Sequence, residues 1–240
     1  MFKIKICGVT RSEDVESIAS AGADTIGINL VAASPRCVTL KQARALTETA
    51  RSRGVRVCAV VMDPTPEQLE QIVQFLGPDA VQLHGREVPS CIEKFEKDGA
   101  LEIVKALSWT GRPEEATLAG LWLAHSAHTA SAHATSGHAT LSFLVDAYAP
   151  VVGGGTGRVA RWDLLNPKPI EFGNVPMLLA GGLNPQNVAR AIQVTNCVGV
   201  DTASGVETAP GIKSKELVES FVSAAQQAFA QQPSEASDAR

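Results

Sequence analysis

Chemistry in this 240-residue sequence concentrates at places where a short apolar run gives way to small or polar residues. Cys7-Gly8 closes the first run, Ser34-Pro35-Arg36 follows the second, and Gln82-Leu83-His84-Gly85 ends the fourth. Asp146 ends the sixth, ahead of Gly153-Gly154-Gly155-Thr156-Gly157. Ala180-Gly181-Gly182 and Asp201-Thr202-Ala203-Ser204-Gly205 end the seventh and eighth. A thiol and a carboxyl on well-separated elements can flank one substrate, the thiolate taking a proton and the acid giving one. Low dielectric around Asp146 would keep it protonated for that task, although the same carboxylate is equally able to cap the next loop. A lone cysteine is more often an inert small hydrophobe than a base.

Glycines in consecutive loops let backbone N–H groups approach a ligand closely, and the following helix start adds a positive dipole end, so the last two loops read as a phosphate site. The competing reading is that these glycines only permit tight turns. Lys5 and His84 stand near the same strand ends and are kept as minor contacts, Lys5 as an ion-pair partner inside the fold and His84 as a supporting hydrogen bonder. His125, His128, His133 and His138 are three, five and five residues apart, which repeats no helical face and favours a solvated loop over a metal site.

The elements that must position these groups follow from periodicity. Brief aliphatic runs near 2–7, 24–30, 55–61, 79–83, 101–106, 141–146, 175–180 and 197–201 read as strands. Between them lie helix starts at Ser12-Glu13-Asp14, Thr39, Pro66-Glu67, Asn184-Pro185 and Ser214, and helix stops at Gly22, Gly54 and Gly99. Alternation of this kind implies a parallel sheet covered on both faces, and eight units imply an α/β fold of one (β/α)₈ barrel. An open doubly wound sheet is the alternative, but it would place its glycine-rich turn after the first strand, whereas here the glycines cluster after the sixth, seventh and eighth. Barrel active sites lie at the C-terminal ends of the strands, where the candidate residues fall.

The reading assigns residues 1–230 to the barrel and 231–240 to a polar tail. The one irregular interval, 124–140, is an Ala/Ser/Thr/His tract expected to be a mobile surface loop leading into strand six. With 21 basic against 25 acidic residues the net charge is −4, and no stretch concentrates the basic ones as a nucleic-acid partner requires. Apolar runs are far shorter than the roughly 18–20 residues that span a bilayer, so no membrane partner is expected. No secretory signal pattern opens the chain, and five scattered cysteines without a C-x-x-C fit free thiols, which together predict a cytoplasmic location.

Taken in order, Lys5-Ile6-Cys7-Gly8-Val9-Thr10, Ser34-Pro35-Arg36, Val81-Gln82-Leu83-His84-Gly85, Asp146 with Gly154-Gly155-Thr156-Gly157, Leu179-Ala180-Gly181-Gly182-Leu183-Asn184-Pro185 and Gly199-Val200-Asp201 with Ser204-Gly205-Val206-Glu207 resemble the phosphoribosylanthranilate isomerases of tryptophan biosynthesis. The resemblance runs from residue 5 to 213 and implies an Amadori rearrangement of a small phosphosugar with no metal and no organic cofactor. Carried over by position, Asp146 is the general acid, Cys7 the general base and Arg36 the ligand of the anthranilate carboxylate. Gly155, Thr156, Gly181, Gly182, Ser204 and Gly205 hold the phosphate. A related sugar-phosphate isomerase of histidine biosynthesis would show an aspartate at position 7 and two matching half-barrels, and a noncatalytic barrel scaffold would have no reason to keep Cys7 and Asp146. The resemblance leaves the oligomeric partner unassigned. The second loop, Leu30-Val31-Ala32-Ala33, lacks the aromatic residues common in the family.

Overall fold

Eight parallel strands taken in chain order close on themselves in this computed structural model, β1 pairing with β8 as well as with β2. The structure describes residues 1–95, 101–132, 140–146 and 161–232. The strands are β1 (Ile4–Cys7), β2 (Thr25–Asn29), β3 (Arg56–Val61), β4 (Ala80–Leu83), β5 (Glu102–Ser108), β6 (Leu141–Asp146), β7 (Met177–Ala180) and β8 (Gly199–Thr202). Each falls within two residues of the run that predicts it. A short hairpin of β9 (Glu207–Ala209) and β10 (Ile212–Lys213) follows the barrel's last strand.

Among the described residues six α-helices cover the outside: α1 (Ser12–Ala21), α2 (Leu40–Ser52), α3 (Pro66–Leu76), α4 (Pro113–Ala132), α5 (Val188–Thr195) and α6 (Lys215–Ala230). Units four and six carry short 3₁₀ turns instead, at Pro89–Cys91, Trp162–Leu165 and Ile170–Phe172. Thr39 and Thr65 build complete capping boxes with Gln42 and Gln68, and Ser214 caps α6 by accepting from Leu217 N. Ser12 does not cap α1, because Arg11 holds that position and closes its guanidinium on Asp14 in the first turn. Gly22 ends α1 in the left-handed conformation as expected; Gly99 lies outside the described residues.

The tract from 124 departs from the expected loop. α4 continues through it to Ala132, because alanine has the highest helix propensity and the run AHSAHTASA holds no glycine or proline to stop it. Residues 133–139, and the expected tail at 233–240, lie outside the described residues.

Alternation along each strand separates two cores. Ile4, Ile6, Ile26, Ile28, Val57, Val81, Ile103, Phe143, Leu179 and Val200 face the helices in one continuous cluster. Cys58, Ala80, Val104, Ala106, Leu144, Leu178 and Ala180 form a separate cluster of mostly smaller side chains with Phe2. Small residues on the inner set leave room that bulky ones would fill.

Candidate active site

The charged interior begins at β1. Lys5 and Asp201 are register partners on β1 and β8, and their side chains meet at 3.0 Å, Lys5 being fully buried. A lone ammonium there would cost far more than its neighbours return, so the pairing is a condition of its presence. Burial alone would lower the Lys5 pKa, but the charges of Asp201, Cys7 and Cys58 outweigh it and hold the ammonium above its ordinary value. The expectation of an internal ion-pair role for Lys5 is met.

Two residues further along β1, Cys7 reaches the cavity and is 8% exposed. Its neighbour on β2 is Gly27, and a methyl group added there would lie 2.6 Å from Cys7 Sγ. Burial raises the thiol's pKa, opposed by Lys5 and Lys213 and reinforced by Asp201. Gly8 follows with a positive φ of 71°, and Arg36 lies across it so closely that any side chain would collide with the Arg36 stem.

A cavity of about 460 Å³ opens at the C-terminal ends of the strands, within the range of small-ligand sites. Cys7 and Arg36 line one part, Asp146 and His84 another, and Gly181, Gly182 and Ser204 a third. Asp146 ends β6 beside Ala180 of β7. Gly181 and Gly182 adopt positive φ of 90° and 65°, which a side chain would strain. A second hollow of about 800 Å³ shares His84, Ala106 and Asp146 with the first, but Cys7 belongs to the smaller one alone.

Sequence-expected groups divide as follows. Cys7, Asp146, Arg36, Gly181, Gly182 and Ser204 converge on the cavity. Gly205 is not on its wall: a Cβ there would sit 1.8 Å from Leu183 O, so its glycine serves the close packing of the eighth loop on the seventh. Thr202 Oγ1 donates to the same carbonyl at 2.6 Å and ties those loops together. Gly155 and Thr156 lie outside the described residues. Arg36 does not project as an isolated fork: Nε and Nη2 are given to Glu207 at 2.8 and 2.6 Å.

Lys213 was not read as functional from the sequence. Its Nζ donates to Glu207 Oε1 at 2.7 Å and to Cys7 O at 2.6 Å, binding the β9–β10 hairpin to the end of β1. Nothing local marks it, since its partners lie six and 206 residues away. Gln82 had a signal, a polar residue within the apolar run Ala80-Val81-Gln82-Leu83. Its Oε1 accepts from Lys5 at 2.7 Å and its Nε2 meets His84 Nδ1 at 2.9 Å. Among the described residues no cluster of three metal-ligating side chains occurs, and no helix is long and apolar enough to cross a membrane.

Residues 4–224 match the family model described as N-(5'phosphoribosyl)anthranilate (PRA) isomerase. An N-(5'-phosphoribosyl)anthranilate isomerase of Rhodopseudomonas palustris is 37% identical over 226 residues, covering 92% of this chain and 94% of that protein. One of Myxococcus xanthus is 38% identical over 223 residues, covering 93% and 95%. The crystal structure of phosphoribosyl anthranilate isomerase from Thermotoga maritima superposes with a TM-score of 0.74 at 27% identity, covering 95% of this chain and all of that one. A phosphoribosyl anthranilate isomerase solved with reduced 1-(o-carboxyphenylamino)-1-deoxyribulose 5-phosphate gives 0.72 at 26%, with the same coverage.

Proposed function

The chain belongs to the N-(5'-phosphoribosyl)anthranilate isomerase family, and on that premise we propose how its residues divide the reaction. It isomerises N-(5'-phosphoribosyl)anthranilate to 1-(2-carboxyphenylamino)-1-deoxyribulose 5-phosphate in tryptophan biosynthesis. Asp146 protonates the furanose ring oxygen, and the C1′–O bond breaks to give a protonated Schiff base. Cys7 as thiolate removes the proton from C2′, and the electron pair moves into the C1′–C2′ bond while the iminium becomes an amine. The resulting enol-enamine tautomerises to the aminoketose. The iminium makes C2′ acidic, so the protein supplies position and two proton-transfer groups.

Arg36 binds the anthranilate carboxylate, for which a guanidinium fork is suited. Glu207 occupies the Nε and Nη2 side, which leaves Nη1 for that contact. In place of aromatic packing, Val31, Ala33 and Met62 supply the apolar wall beside Arg36. The phosphate is held by backbone amides at Gly181, Gly182 and Ser204, which line the cavity, while Gly205 keeps the eighth loop packed against the seventh. The single observation carrying this reading is that Cys7, Asp146 and the Gly181–Gly182 turn line one cavity.

A cytoplasmic setting fits the free cysteines among the described residues and a biosynthetic reaction. A net charge of −4 gives no attraction to a polyanion. The test follows anthranilate fluorescence during turnover of freshly made substrate. Cys7→Ala and Asp146→Asn should each lower kcat by about 10²–10⁴-fold, while the product analogue still binds. Either variant retaining more than about a tenth of the wild-type rate is incompatible with a role of that size.

A further inference from the structure

We propose that His84 is a substrate-binding residue, locked as the neutral Nε2–H form by a buried relay from Asp201 through Lys5 and Gln82, and that it donates a hydrogen bond to an oxygen of the opened sugar chain. The proposal rests on the reading that the cavity between Cys7 and Asp146 holds the phosphosugar.

The relay follows from which groups can only donate. Lys5 Nζ has three donors and no acceptor, and it lies 3.0 Å from Asp201 Oδ1 and 2.7 Å from Gln82 Oε1. The Gln82 carbonyl therefore faces Lys5, since the reverse placement would set an NH₂ against an ammonium. Its Nε2, now fixed on the other side, is itself donor only and lies 2.9 Å from His84 Nδ1. That nitrogen must present a lone pair, which puts the ring proton on Nε2 and leaves the imidazole uncharged. The environment agrees: burial and then the Lys5 charge lower the His84 pKa, against opposition from Asp201 and Asp146.

One consequence is negative. With Nδ1 engaged by Gln82 and Nε2 protonated, His84 has no free lone pair to act as a base, which leaves proton abstraction to Cys7. The other is positive. His84 lines the cavity together with Cys7 and Asp146, and Nε2–H is its remaining polar atom. An uncharged donor there suits a hydroxyl or carbonyl oxygen of the sugar, while the anionic ends of the substrate go to Arg36 and the glycine turns. Gln82 and Lys5, which touch His84 only in sequence along the relay, are positioning residues.

The experiment uses ¹⁵N-histidine-labelled full-length enzyme with reduced 1-(o-carboxyphenylamino)-1-deoxyribulose 5-phosphate as probe. At neutral pH the His84 imidazole should show a bare Nδ1 and a protonated Nε2, and Gln82→Leu should give mixed tautomers. His84→Leu should weaken probe binding by about tenfold, the scale of one net hydrogen bond. His84→Gln, whose amide can reach the same place, should restore most of the loss. A protonated Nδ1, an imidazolium, or wild-type affinity in His84→Leu overturns the proposal. Shielding of Cys7 from alkylation by the probe is measured in parallel. If the probe binds without shielding Cys7, the reading of the cavity fails; if it shields Cys7 and His84→Leu binds it normally, only the His84 proposal fails.

Discussion

Glu207 closes its carboxylate on Arg36 across 171 residues of sequence, with Arg36 Nε 2.8 Å from Oε1 and Nη2 2.6 Å from Oε2. By itself this pair would cancel the charge that a substrate carboxylate needs. Lys213, 2.7 Å from Glu207 Oε1, adds a second cation, so the three groups carry a net single positive charge. Burial alone would raise the Glu207 carboxyl, but hydrogen bonds from Arg36 and Lys213 outweigh it and hold the pKa below the ordinary value.

Removing Glu207 should therefore act on binding and stability together. Glu207→Ala frees Arg36 and leaves Lys213 buried beside backbone carbonyls without its counter-charge, a loss of about 3 kcal/mol in thermal or denaturant unfolding. Because the folded pKa is depressed, Glu207 stabilises above its unfolded value and that contribution fades as pH falls through the folded one. The wild type and Glu207→Ala should accordingly converge in stability in acid. Arg36→Met, compared on anthranilate- and aniline-derived substrates, should raise KM for the carboxylated one alone. Equal losses on both would make Arg36 a support for the second loop.

Cys7 must be a thiolate to act, and burial raises its pKa while Lys5 pulls it back. The active fraction is thus small at neutral pH and grows with alkalinity, so kcat/KM should climb with pH beyond the ordinary thiol value of about 8.5. Pairing Lys5→Met with Asp201→Asn keeps the interior neutral. The thiol then loses its larger stabilising charge and only a smaller opposing one, so the ascending limb should move to higher pH. An unmoved limb in a folded double variant would mean that Lys5 does not act on Cys7.

Gly205→Ala tests the junction of the seventh and eighth loops. The new methyl falls 1.8 Å from Leu183 O, a backbone atom that cannot swing away. The expected result is a destabilisation of about 1–3 kcal/mol, typical of overpacking, with weaker binding of phosphate-bearing ligands. Gly54→Ala is the control: nothing lies within 4 Å of its added Cβ, and only its left-handed backbone is strained. That variant should lose stability by about 1 kcal/mol with phosphate binding unchanged.

The Ala/His tract offers a separate check. α4 runs from the C-terminal face of the barrel, where Pro113 begins, toward the opposite face, so its end is remote from the strand ends that line the cavity. Trp122, fully buried, anchors the helix before the tract begins. Replacing 127–139 by a short turn should leave kcat within a few-fold and reduce the helical circular dichroism signal. Zinc titrated into the intact chain should bind weakly. Abolished activity in a folded deletion, or zinc retained through dialysis, would make the tract functional.

Much of this protein is local, and what is local was legible in the residues themselves. Period-two and aliphatic runs placed all eight strands, because a strand buried between barrel interior and helices is mostly apolar whatever its partner, its few polar residues such as Lys5, Gln82 and Asp201 being paired inside. Thr39, Pro66-Glu67 and Ser214 announced helix starts, since a cap or a first-turn proline acts within three residues. Cys7, Arg36 and Asp146 were visible as chemistry-bearing types at strand ends. In the 124–132 segment the helix propensity of alanine outweighs the lack of an apolar stripe that favours a loop, and α4 runs on to Ala132. Only the closed barrel decided the rest. Register across the β1–β8 seam sets Lys5 against Asp201, 196 positions apart by number, and chain reversal at the β9–β10 hairpin brings Glu207 and Lys213 to Arg36 and Cys7. Long-range ion pairs leave no periodic trace, because one buried charge is balanced wherever the fold delivers its partner, and that delivery belongs to the tertiary structure.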